Sequence, residues 1–183
     1  MQNIIYKKAE SISELNQILQ LQQINSPESI SEEESIKEGF VTAKHSFEIL
    51  KQMNDICAHT IAMHNDKVVG YALSMDKTFK NDIKVLTPMF NKIEMNISSN
   101  TNYIVMGQIC IDKQYRMQGI FKGLYDFMRS QMKLKYDVII TEVDIKNTRS
   151  MNAHKAIGFK VLYSYRSNNQ NWEILSWDIK TNN

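Results

Sequence analysis

Between Ile109 and Lys122 the chain reads ICIDKQYRMQGIFK, an apolar strand that enters a tight loop, which opens directly into a helix. A helix start offers unpaired backbone N–H groups and the positive end of the peptide dipoles, so a loop wrapped there is suited to a diphosphate. Gly119 is the residue that lets backbone approach phosphate closely. Arg116 and Lys122 flank it, either as added positive charge or as solvated surface residues. Further on, alternation along a strand puts Glu142 and Asp144 on one face and Val143 and Ile145 on the other. Two acids on a central strand more often line a wet cleft than a core, which makes Glu142 a candidate general base. A solvated or salt-bridged pair is the competing account, and Gln108 is a further polar group beside the first strand. His154 shares a helical stripe with Ser150 and Ile157 and is expected to face inward.

These segments resemble the GNAT acetyltransferase superfamily. Its acyl-CoA loop reads Arg or Gln, two variable residues, Gly, one variable residue, then Gly or Ala; here stand Arg116, Met117, Gln118, Gly119, Ile120 and Phe121, without the final small residue. A second block, NTRSMNAHKAIGF, matches the family pattern at Asn147, Ser150, Gly158 and Phe159, with His154 where the family usually carries Tyr. Two ordered blocks at the separation of one helix and one strand are far more specific than either alone.

The resemblance implies a single-domain α/β fold over residues 1–183, with a V-shaped, mostly antiparallel mixed sheet flanked by helices. It implies an N-acyltransferase that moves acetyl from acetyl-CoA to an amine by direct attack in a ternary complex. Backbone of Ile109, Cys110 and Ile111 would hold the pantetheine arm and face the thioester oxygen. Arg116, Met117, Gln118, Gly119, Ile120, Phe121 and Lys122 would hold the diphosphate, and Asn147 would join the cofactor-binding set. His154 stands at the position of the proton donor to the departing thiolate. A thiol of pKa about 8.5 is bracketed awkwardly by an imidazolium of about 6.5, so His154 is open to three roles: acid, orienting donor or filler. Phe121 and His154, the two departures from the pattern, keep a rival reading in play, a GNAT-like domain that binds CoA as a regulatory or structural module without turnover.

The elements that must position these groups follow from periodicity. Strands are expected at Asn3 to Ala9, a hairpin at Thr60 to Met63 and Val68 to Met75, and a long strand from Tyr103 to Asp112 with a bulge or a close backbone approach at Gly107. Helices are expected from Ser11 or Ser13 with Ile12, Leu15, Ile18 and Leu19 inward, through Phe47, Leu50 and Met53, around Val85 to Ile93, and from Gly119 to Lys135. Then come a strand at Val138 to Asp144, a helix capped by Asn147, and strands at Gly158 to Tyr165 and Trp172 to Ile179, for a sheet of six or seven strands.

The totals exclude several classes. With 183 residues, 43% hydrophobic and 23% charged, the chain is one ordinary globular domain. The 22 basic and 20 acidic residues are spread along the chain, which argues against nucleic acid and membrane as partners. Neither a secretion signal nor an apolar span is evident, so a cytoplasmic location is expected. The four histidines lack metal-ligand spacing, so no metal is expected. Cys57 and Cys110 read as buried, reduced thiols. The acceptor, a small-molecule or peptide amine, is not specified, and a homodimer is an open possibility. Glu28, Glu32, Glu33 and Glu34 either recruit a cationic amine or form a solvated helix face, and Gly39 to Thr42 sits where the superfamily usually builds its acceptor wall.

Overall fold

The computed structural model describes residues 3–26 and 44–180; Glu28, Glu32, Glu33, Glu34 and the segment Gly39 to Thr42 lie outside them. Strand β1 (Ile4–Lys8) leads into α1 (Ile12–Ile24), which Ser11 caps through a capping box closed by Glu14. Leu15 and Ile18 point into the core, but Ile12, expected beside them, is 63% exposed. After α2 (Phe47–Ile56), strands β2 (Thr60–His64) and β3 (Lys67–Met75) form the expected hairpin, turned by Asn65 at φ 53°.

Helix α3 (Thr87–Asn96) begins two residues later than the periodicity implied. Pro88 suits a helix start, and Val85 and Leu86 instead belong to a 3₁₀ turn, Lys84–Leu86. The remaining elements are β4 (Tyr103–Ile111), α4 (Ile120–Met132), β5 (Val138–Asp144), α5 (Thr148–Ile157), β6 (Lys160–Ser167) and β7 (Gln170–Asp178). Among the described residues, no helix is long and apolar enough to cross a membrane.

The strands make one seven-stranded sheet in the order β1-β2-β3-β4-β5-β7-β6, antiparallel except for the β4–β5 pair. Leu15 and Ile18 of α1, Leu50 and Met53 of α2 and Phe90 and Ile93 of α3 pack on one face. On the other, Leu124, Tyr125 and Met128 of α4 and Met151 of α5 pack on Ala62, Ala72, Ile104 and Ile139. Each fully buried Leu or Ile in these layers contributes about 1.5–3 kcal/mol, enough to hold the two layers on the sheet.

Candidate active site

The parallel strands β4 and β5 stay together for only part of their length. Tyr103, Ile104 and Val105 pair with Val138, Ile139 and Ile140, and the ladder goes no further. Beyond it β4 continues on β3 as far as Ile111, and β5 continues on β7 as far as Asp144. The sheet therefore opens into a V. A cleft of about 560 Å³ fills the opening, lined on one side by Gly107 to Ile111 and on the other by Thr141 to Asp144.

The shape depends on a bulge. Leu73 pairs with Gln108 and Ser74 with Met106, which leaves Gly107 as the extra residue of β4, as its sequence position implied. An added residue reverses the alternation that follows it. Gln108 and Cys110 thus join the α1 side of the sheet, where Tyr71 donates to Gln108 Oε1 at 2.7 Å and Gln22 Nε2 does the same at 2.7 Å. Ile109 and Ile111 turn to the α4 side.

After Ile111, Asp112 caps a short 3₁₀ turn (Lys113–Tyr115), and Met117 adopts φ 61° with its side chain 99% exposed. Gly119 caps α4 at φ 79°, a left-handed conformation, and a Cβ there would meet no atom within 4 Å. The start of α4 thus carries no side chain at its cap, and the first amides of a helix are the groups that receive anions. Of the two flanking cations, Arg116 donates through Nε to the Ile111 carbonyl at 3.2 Å and through Nη2 to Asn25 Oδ1 at 2.9 Å, tying the loop to the end of α1. Lys122 pairs with Asp126 one turn along α4 and is largely exposed.

Phe121 does not project into solvent. Its ring packs edge-on against Tyr125 and His154, with centroids 5.2 and 5.1 Å away. His154, 1% exposed, lies between α4 and α5 and contributes to the cleft wall. Its Nδ1 lies 2.7 Å from the Ser150 carbonyl, which can only accept, so Nδ1 carries the proton. Nε2 is then the acceptor for the Tyr125 hydroxyl at 2.8 Å. Burial outweighs the Ser150 bond and pushes the imidazole down to about 4, so the ring is neutral near pH 7.

Glu142 lies on the opposite face of the sheet, in the same cleft. Burial pushes its carboxyl up to about 7, partly offset by the Tyr165 hydroxyl, which donates to Oε2. Asp144 also lines the cleft, but the Lys146 amide and Gln170 Nε2 bond its two oxygens. Asn147 caps α5, accepting from the Ser150 amide at 3.0 Å. The structure thus gathers Glu142, His154, Asn147, Arg116, Phe121 and Ile109 to Ile111 around one opening, whereas Met117, Gln118, Gly119, Ile120 and Lys122 are not among the residues that line it. Sequence reading missed Tyr165, Tyr125 and Asn25. Only Tyr125 carried a signal, since it falls one turn from Phe121 on the inward face of an amphipathic helix.

A splayed parallel pair leading to a glycine-capped helix agrees with the family comparison, in which the model described as "Acetyltransferase (GNAT) family" matches residues 16–159. The chain belongs to the GNAT acetyltransferase family. Among curated proteins none matches. Solved structures with this GNAT fold include an N-acetyltransferase from Staphylococcus aureus Mu50, at 16% identity and TM-score 0.64 over 97% of this chain and 99% of that one. Arabidopsis thaliana Naa50 in complex with the bisubstrate analogue CoA-Ac-MVNAL superposes at TM-score 0.65 with 13% identity, over 96% and 98% of the two chains. The NatC complex bound to Gag peptide and CoA gives TM-score 0.67 with 17% identity over 96% and 98%. At such identities the likeness to this GNAT protein is one of fold.

Proposed function

We propose that the protein transfers an acetyl group from acetyl-CoA to an amine by direct attack in a ternary complex. The observation that carries this reading is the parting of β4 and β5 after Val105 and Ile140, directly before the glycine-capped start of α4. The residues fit the cosubstrate: an open cradle at Gly119 for a diphosphate and an unpaired stretch of β4 for an extended, amide-bearing arm. In this reading the backbone of Ile109, Cys110 and Ile111 holds the pantetheine arm, with an N–H toward the thioester oxygen. Backbone amides from Met117 to Lys122 hold the diphosphate, while Arg116 braces the loop. Bound acetyl-CoA supplies the activated acyl group.

Glu142 accepts a proton from the incoming ammonium so that a neutral amine can attack; its raised pKa matches that task at neutral pH. Of the roles open to His154, the geometry favours that of filler, because the ring is neutral, its one N–H is spent on the Ser150 carbonyl and Nε2 accepts from Tyr125. Asn147 sets the start of α5 and thereby the position of His154. The thiolate takes up the proton that the attacking nitrogen sheds.

The rival module without turnover rested on two departures from the family pattern, Phe121 and His154. The inward packing of the Phe121 ring and the open space at Gly119 leave room for CoA in both readings, and the buried Glu142 in the same cleft weighs for the enzyme. Isothermal titration with acetyl-CoA, paired with thiol release over a panel of amines, tests the proposal. Micromolar binding that disappears in Gly119→Trp, with thiol release on some amine, is expected. Absence of binding at millimolar acetyl-CoA would sink it.

A further inference from the structure

The cleft has two sides, set by the alternation of β5. His154 and Phe121 belong to the layer formed by α4 and α5, whereas Glu142 and Tyr165 face the layer that contains α3. On the latter side part of the wall is apolar. Met89 is 2% exposed, Leu86 is partly buried in the same cluster as Tyr165, and Val85 is 52% exposed, yet all three line the cleft that contains Glu142. An apolar wall beside a carboxylate is unfavourable to leave wet, and it gains from an apolar substituent on whatever the carboxylate receives.

The carboxylates of the lining place the nitrogen. Among the described residues lining the cleft, the carboxylates are Glu142 and Asp144, against the cations Arg116, Lys146 and Arg149. Asp144 is already bonded through both oxygens, to the Lys146 amide and to Gln170. Glu142, bonded by Tyr165 through Oε2, is therefore the carboxylate of this lining that can take the acceptor's ammonium.

We infer that the acceptor is an amine bearing an apolar substituent, its nitrogen at Glu142 and its substituent against Val85, Leu86 and Met89. This rests on the acyltransferase reading and narrows its substrate class. A small free amine and a peptide N-terminus with an apolar first side chain share this chemistry, so both enter the test.

The test is kcat/KM of the full chain with saturating acetyl-CoA for phenethylamine, a leucine-initiated tripeptide, ethanolamine and spermidine. At least one of the two apolar amines should exceed both ethanolamine and spermidine by roughly tenfold or more, the scale on which a pocket discriminates apolar groups. Val85→Asp, a change at a half-exposed position, and Leu86→Glu should each shrink that ratio, with acetyl-CoA affinity unchanged as the measure of intact fold. Preference for spermidine, a ratio unmoved in both variants, or binding of acetyl-CoA without turnover of either apolar amine overturns the inference alone. Loss of acetyl-CoA binding in the wild type overturns the acyltransferase reading and takes this inference with it.

Discussion

The Tyr165 hydroxyl donates to Glu142 although β7 lies between the strands that carry them. Trp172 of β7 pairs with Asp144 on one side and with Tyr165 on the other, which places Tyr165 diagonally from Glu142 on the same face. The bond favours the ionised carboxylate, while burial disfavours it more strongly. As a base, Glu142 must be ionised to act. Thus kcat/KM should rise with pH to a plateau above a midpoint near 7, and Tyr165→Phe should move that midpoint upward. Glu142→Gln should lower kcat/KM by about 10²–10⁴ with acetyl-CoA affinity retained. A pH profile unchanged in Tyr165→Phe would count against the base assignment.

Acid should unfold the protein through its buried histidines. Burial holds His45, His59 and His154 each down to about 4. A histidine depressed in the folded state contributes stability that is present above the unfolded value of about 6.5 and lost as pH falls toward the folded one. Glu142 acts in the opposite sense, because its raised folded value makes the unfolded chain release its proton first, so it stabilises less as pH rises from about 4.5 to 7. Three groups against one leave an uptake of about two protons on unfolding between roughly pH 4.5 and 6.5. Urea titrations across that window measure it as a slope. In Glu142→Gln the slope should steepen by one proton.

The Tyr125 to His154 bond should be worth more to stability than an average hydrogen bond. Tyr125→Phe leaves Nε2 of a buried, neutral imidazole without a donor, at a cost of about 1–3 kcal/mol. Denaturant midpoints measure this, and the ¹⁵N shifts of His154 should keep the Nδ1–H tautomer, since the Ser150 carbonyl is untouched.

Two glycines in left-handed conformations should respond differently to alanine. At Gly119 the new methyl meets open space, so the loss is that of backbone strain, about 1–2 kcal/mol. At Gly158, φ is 119° and the methyl would lie 3.1 Å from Trp177 Nε1, so Gly158→Ala should cost more. Thermal unfolding of the two variants ranks them; acetyl-CoA affinity should fall only in the Gly119 variant.

Cys110 should prove chemically silent. Burial pushes its thiol up to about 12, and Cys57 is raised as well. Neither thiol should react with iodoacetamide in the native protein at pH 8. Cys110→Ala should keep kcat within a few fold, because only the backbone of that residue is assigned to the cosubstrate.

The local elements were written in the chain. The Asn147 cap, the hairpin around Asn65 and Asp66 and the glycine before α4 depend on interactions between near neighbours, and the structure has them where the spacing implied, while Ser11 rather than Ser13 caps α1. Even the β4 bulge was legible, because glycine inside a strand has few other uses. The start of α3 was missed where Pro88 outweighed apolar periodicity. What the tertiary structure alone decided is how strands far apart in sequence are arranged. That β7 inserts between β5 and β6, that β4 and β5 part after three pairs, and that Tyr165 therefore reaches Glu142 are matters of strand order and packing between two helical layers. Side-chain period reports which face a residue occupies; it carries no record of which strand lies alongside. The pKa of Glu142 belongs to the same class, since burial is a property of the assembled fold and not of the residue.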